Sequence, residues 1–459
     1  MNSMTQERPI AEQIAGCIAS LKSRDLPPAT VEMARRLLLD MTGLAIAARD
    51  ESYISAVLGA VDAGEAATAF GHKGSFDAFG AALVNGTAAH GEDYDDTFEG
   101  GPVHSGAVIV PAVLAACERE GLGGDRLLLG IAVGAELMCR LALAAPKAIH
   151  TAGFHPTAVL GTVAAAGGVA VALGLRPVEI VSALGIAGSM AAGIIEYLAE
   201  GTWTKRMHAG NAAQSGIRAA LMARGGFLGP RTVFEGSHGF FKAFAPSRKP
   251  DFAPVMENLG THWLIDQIAF KPFACGTMTQ PFIDCAIRLA QSGVKADAIT
   301  DILCEVGEGT VHRLWEPLAV KHAPQTPYAA KFSTPVCMAL GFLDGKAGLA
   351  QFTEQRLADP AVTALARKIH YVINPDDEYP RNFTGHLRAT VSDGSVKEFR
   401  QPHMRGGAHE PLPIAELETK FLDNAVYGGW SRATAARFLD LSRDLFRAGD
   451  LSALKEYRQ

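Results

Sequence analysis

The residues able to do chemistry in this 459-residue chain gather in four short stretches. The densest is His90-Gly91-Glu92-Asp93-Tyr94-Asp95-Asp96-Thr97, followed by His104-Ser105-Gly106. Four carboxylates, a threonine hydroxyl and two histidines between apolar flanks are costly to bury unless they are paired or functional. The plain alternative is a solvated acidic loop capping the helix that begins near Gly106. His and Asp also serve as ligands for divalent metals. Here there is no HExxH, and Gly100-Gly101-Pro102 separates the two histidines, so no metal is expected.

The second stretch, Phe154-His155-Pro156-Thr157, opens an Ala-rich run. Proline favours the first helical turn, which places His155 at a helix N-terminus, where free amides attract anions and a histidine can act as acid or base. A merely structural capping histidine is the competing reading. The third, Thr202-Trp203-Thr204-Lys205-Arg206-Met207-His208-Ala209-Gly210-Asn211, puts two cations and a histidine beside small residues at another helix start. That suits a small anion, although an exposed basic turn has the same composition. In the fourth, Phe270-Lys271-Pro272-Phe273-Ala274-Cys275-Gly276, Lys271 stands between apolar residues at a domain junction, where substrate clefts often form. Cys275 is a conceivable nucleophile, but thiols in apolar surroundings are usually inert.

The elements that must position these residues are mostly helical. Apolar spacing predicts helices at 11–22, 28–47 and 108–120, and small residues dominate 156–195 and 209–225, which lets helices approach closely. From about residue 265 the pattern changes. β-leaning runs at 302–306 and 369–373, a hairpin at 387–391 and 396–399 around Ser392-Asp393-Gly394, and helices at 278–292 and 334–343 predict an α+β segment with antiparallel pairing. Helices return at 414–421 and 431–446.

Composition narrows the function. With 48% hydrophobic and 20% charged residues the chain is globular, and a net charge of −6 argues against nucleic acid as a partner. Seven scattered cysteines without CxxC, and a polar N-terminus, point to a reduced, cytoplasmic protein. The uncharged run 156–175 is long enough to raise a membrane question, but its Ala, Gly and Val content without aromatic belts reads as core helix, so no membrane partner is expected. GxGxxG after a strand, GxxxxGK[ST] and GxSxG are all missing, so no cofactor is expected.

In this order the stretches AAHGEDYDDT (88–97), VHSGA (103–107), GFHPTAVLGTVAAA (153–166), TKRMHAGNAAQSG (204–216), FEGSHGFF (234–241) and FKPFACG (270–276) resemble the MmgE/PrpD family. That family includes 2-methylcitrate dehydratase, cis-aconitate decarboxylase and iminodisuccinate epimerase. The resemblance implies a mainly α fold: a large all-helical domain from 1–265 and 405–459, a smaller inserted α+β lid domain at 266–404, a homodimer, and a site in the cleft between domains. It puts the family's site residues on Asp93, Thr97, His104, His155, Lys205 and Lys271, to which local chemistry adds His208. The implied reaction is cofactor-independent removal of a proton next to a carboxylate of a small polycarboxylate. Lys205 and Lys271 would stabilise the developing charge, His104 and His155 would serve as base and acid, Asp93 would orient one of them, and Thr97 and His208 would help bind substrate.

Two departures bear on the outcome. Decarboxylase-type members carry a histidine where Gly276 stands, and a tyrosine that Phe332-Ser333-Thr334-Pro335-Val336 lacks. The sequence expectation is therefore a dehydratase first, an epimerase second and a decarboxylase last, with a non-catalytic helical binding protein as the reading from another class.

Overall fold

The computed structural model describes residues 8–458. One unit comprises the described residues up to Gly91, Asp95–Ile268 and those from Glu418 onward. Its longer helices as far as Arg224 are α1 (Ile10–Ile18), α2 (Pro28–Ala47), α3 (Ala78–Gly91), α4 (Ser105–Glu120), α5 (Gly124–Ala144), α6 (Pro156–Ala172), α7 (Pro177–Met190) and α8 (Thr204–Arg224). Proline occupies the first position of α2, α6 and α7, where its missing N–H costs nothing. Gly121, at φ 64°, ends α4 in the left-handed conformation that favours glycine.

The core of this unit is α8 packed against α3 and α6, with α5 also packed against α6. Small side chains make that packing possible: a Cβ on Gly210 of α8 would overlap the Leu83 carbonyl oxygen of α3. The run that raised the membrane question forms α6, buried from Thr157 to Ala172. Among the described residues one helix, α5, is long and apolar enough to cross a membrane, and 94% of its apolar window is buried inside the protein.

The other unit comprises Glu92–Tyr94 and Ala269–Leu417. Its four-stranded sheet is built from β1 (Ile299–Val306), β2 (Ile369–Ile373), β3 (Gly385–Val391) and β4 (Val396–Gln401), in the order β2-β1-β3-β4. Helix α9 (Gln280–Gln291) packs on β3 and β4 and against α10 (Thr334–Asp344). The predicted hairpin is present as β3 and β4, with Leu387 opposite Phe399 and Gly394 at φ 82° in the turn. One expectation is corrected. The pairing is mixed, because β1 and β2 run parallel, with Cys304 opposite Tyr371. The chain between them forms a series of helices, and such a long crossover can return the next strand in the same direction.

The last helix, α11 (Arg432–Asp444), belongs to the first unit. The fold is thus mainly α, with a small sheet.

Candidate active site

In the first unit four histidines converge from three chain segments. His90 lies in the last turn of α3, His104 is the N-cap of α4, His155 is the N-cap of α6 and His208 is in the first turns of α8. The ring centroids of His90 are 5.1 Å from His104 and 5.5 Å from His155, and His155 is 5.3 Å from His208.

Local backbone bonding explains how these rings are held. Phe98 N–H donates to the Val103 carbonyl across the Gly100-Gly101-Pro102 turn, which delivers His104 to the start of α4. Asp96 anchors that start: its carboxylate accepts from Ser105 N–H at 3.0 Å, Ser105 Oγ at 3.1 Å and Gly106 N–H at 2.9 Å. Gly106 is needed for this approach, since a Cβ there would sit 2.6 Å from Asp96 Oδ1. His155 N–H donates to the Gly193 carbonyl at 2.8 Å, tying the N-terminus of α6 to the segment after α7.

The side-chain bonds assign tautomers. His90 Nδ1 donates to Asp95 Oδ2 at 2.6 Å, and His104 Nδ1 donates to the Asp96 carbonyl at 2.6 Å. The same Asp95 oxygen lies 3.6 Å from His104 Nδ1. His155 Nδ1 and His208 Nδ1 are 3.2 Å apart, so one donates and the other accepts. Burial first, then the closeness of other groups that can carry positive charge (His90, Lys205, His208 and His104), holds His155 well below the ordinary histidine range. Burial, then the nearby His90 and Lys205, bring His208 down to about 4. Both rings are therefore neutral near pH 7, the state in which an imidazole can accept a proton. Burial, with Asp95 and Asp40 nearby, pushes the Asp96 carboxyl up to about 8, against the opposing pull of its Ser105 and Gly106 donors.

Lys205, half-buried in the first turn of α8, is the cation acting on both His155 and His208. Thr97 is buried in a two-residue extended segment, Thr97–Phe98. The structure thus brings His104, His155, His208 and Lys205 into one neighbourhood. It adds two residues that sequence reasoning left without a role, His90 and Asp95. Their signal was present in the acidic stretch, but five-residue spacing alone does not reveal a hydrogen bond.

The second unit has its own polar cluster. Asp93 adopts a left-handed backbone at φ 58°. Lys271 Nζ, fully buried, donates to the Asp93 carbonyl at 2.9 Å and to its Oδ1 at 3.3 Å, while Tyr328 OH donates to Oδ2 at 3.3 Å. Lys331 pairs in the same way with the carbonyl and carboxylate of Glu92. Asp93 was expected to orient a histidine; the carboxylate bonded to a histidine ring is that of Asp95, and Asp93 holds Lys271 and Tyr328. Tyr328 and Lys331 were missed, since neither belongs to a recognisable motif. Cys275 is buried, and burial pushes its thiol well above the ordinary range, which leaves it a poor nucleophile.

A metal would need several ligand atoms aimed at one point. His90, Asp95 and His104 offer three within 4.8 Å of one another. In the structure, the Nδ1 of His90 faces the Asp95 carboxylate and that of His104 the Asp96 carbonyl, each at hydrogen-bond distance.

Comparison with known proteins identifies the family. Residues 12–253 match the MmgE/PrpD N-terminal domain and residues 273–444 the MmgE/PrpD C-terminal domain. The chain belongs to the MmgE/PrpD family and is an enzyme of the lyase or isomerase kind. It is 30% identical to cis-aconitate decarboxylase of Homo sapiens, over 91% of this chain and 88% of that protein. It is 29% identical to the Mus musculus cis-aconitate decarboxylase, over 91% and 86%. The Aspergillus terreus (strain NIH 2624 / FGSC A1156) cis-aconitate decarboxylase is 28% identical, over 90% and 88%.

Proposed function

We propose that the protein is a cofactor-independent lyase that removes a proton from carbon next to a carboxylate of a small polycarboxylate, with water leaving from the neighbouring carbon. The observation that carries this reading is the buried group of histidines, two of them held neutral, around His104 and His155. A neutral imidazole accepts the proton and a protonated neighbour assists the departing hydroxyl. Lys205 supplies positive charge where the carbanion develops negative charge, an interaction that strengthens in the transition state. Lys271 and Thr97 complete the proposed set, Lys271 as a cation already ordered by Asp93.

A second reading, loss of carbon dioxide, is favoured by the names of the relatives. It uses the same groups, with a histidine delivering a proton to the carbon that the carboxylate leaves. Gly276, and a segment 332–336 without tyrosine, place it behind dehydration. Epimerisation would return the proton to the opposite face.

Incubation with 2-methylcitrate, citrate, cis-aconitate and iminodisuccinate in deuterated water separates the three. An unsaturated product signals dehydration, carbon dioxide signals decarboxylation, and deuterium without net elimination signals epimerisation. If none of the acids exchanges or reacts, the polycarboxylate reading is wrong. We also propose a homodimer, to be tested by light scattering on the eluting protein.

A further inference from the structure

Thr157 has no part in the functional set proposed above. It is fully buried in the first turn of α6, two residues after His155, and its Oγ1 accepts a hydrogen bond from the His104 backbone N–H at 3.2 Å. His104 is the N-cap of α4, and the first N–H groups of a helix have no partner inside it. The usual local remedy is a Glu or Gln at the third helical position reaching back to the N-cap N–H. In α4 that position is Ala107, so the acceptor comes instead from a residue 53 positions away, at the start of another helix.

We propose that Thr157 is a positioning residue of the active site: its hydroxyl ties the backbone of His104 to the turn that follows His155 and so sets how far apart the two imidazoles stand. The inference rests on the acid–base roles proposed above for these histidines. Thr157 itself touches no reacting atom in this scheme and acts through His104.

The surrounding bonds support this role. The rings of His104 and His155 have centroids 6.5 Å apart and planes inclined at 50°, a placement inherited from the backbones that carry them. Two other anchors hold each histidine singly: His104 Nδ1 on the Asp96 carbonyl at 2.6 Å, and His155 N–H on the Gly193 carbonyl at 2.8 Å. The Thr157 bond instead joins the two segments to each other. Packing of α4 on α6 brings the helix starts together. Proton transfer asks for more, a donor and acceptor within about 2.6–3.2 Å, and a misplacement of about 1 Å can cost about 10²-fold in rate.

A pair of variants separates the hydroxyl from the shape of the side chain. Thr157→Val keeps the branched shape and removes the acceptor, whereas Thr157→Ser keeps the acceptor and removes the methyl group. With an acid that the wild type turns over, Thr157→Val should lose about 10-fold or more in kcat with KM unchanged, within the range for misplaced acid–base groups. Thr157→Ser should restore wild-type turnover. Wild-type kcat in Thr157→Val, even with a lower Tm, overturns the inference, as does a Thr157→Ser variant as slow as Thr157→Val. Should Thr157→Val fail to fold, Thr157→Ala, which also lacks the acceptor, takes its place with the same expectations. If the wild type acts on none of the acids, the polycarboxylate reading fails on its own, and the positioning is read without substrate in protein carrying 15N-labelled histidine. The ring signals of His104 and His155, assigned by their loss in His104→Gln and His155→Gln, should both move in Thr157→Val and return to their wild-type positions in Thr157→Ser. Ring signals that stay in place in Thr157→Val overturn the inference.

Discussion

His155 and His208 face each other through Nδ1 atoms 3.2 Å apart, an arrangement that requires one to donate and the other to accept. Protonating both would put two donors and two positive charges into one buried contact. The pair thus fixes the tautomers of two proposed site residues.

This contact makes folding sensitive to acid. His208 is depressed from its ordinary 6.5 to about 4, and His155 is also depressed well below its ordinary range, so below 6.5 these two sites bind more protons in the unfolded chain than in the folded one. Their contribution to stability is full above about 6.5 and is lost as pH drops toward 4. Asp96, raised to about 8, acts in the opposite sense over its own range, but equally in a His208→Gln variant. Thermal unfolding between pH 7 and 4.5 should therefore show a steeper fall in Tm for wild type than for His208→Gln. Parallel curves would mean that His208 is not held neutral.

Replacing His104 or His155 by alanine should reduce kcat by about 10²-fold or more, since each would remove an acid–base group. Steady-state kinetics on the acid identified by the deuterium experiment provides the check. Near-normal turnover in both variants removes them from the mechanism.

Lys271 and Asp93 form a buried pair whose partners depend on each other. Lys271→Met strands the Asp93 carboxylate and should cost about 3–5 kcal/mol. Adding Asp93→Asn should recover part of that loss in urea unfolding. A double variant as unstable as the sum of the singles would show that the pair is not coupled.

Gly106→Ala should behave as a lesion of the α4 N-terminus. The new Cβ, 2.6 Å from Asp96 Oδ1 and 3.1 Å from Leu37 and Met41 side-chain carbons, displaces the carboxylate. Loss of the cap is worth about 1–2 kcal/mol. A fall in Tm with a matching loss of kcat is expected, because His104 precedes the displaced turn; unchanged Tm would contradict the crowding.

Activity should survive dialysis against a strong chelator. The nitrogens nearest the Asp95 carboxylate carry protons engaged in hydrogen bonds, and proton transfer at His104 and His155 needs no metal in the proposed scheme. Loss of turnover that returns with a divalent ion would instead make His90, Asp95 and His104 a ligand set.

The sequence by itself determined the helices and the family. Pro156 after His155 placed that histidine at a helix boundary, and Ser392-Asp393-Gly394 between β-leaning runs marked a hairpin, because turn and cap chemistry is local. The direction of β2 was not local. It depends on the path of more than sixty residues between Val306 and Ile369, so the antiparallel expectation failed there.

Partnership among the charged residues was decided only by the tertiary structure. Asp93 and Asp95 are two residues apart and chemically alike, yet one holds Lys271 and Tyr328 and the other His90. The left-handed backbone at Asp93 belongs to the turn that separates them, and no one-dimensional pattern encodes the resulting directions. His155 and His208 are likewise 53 positions apart and meet only because small residues let α8 pack closely against α6. Residue types supplied the chemistry, while packing of helix against helix selected which groups share a proton.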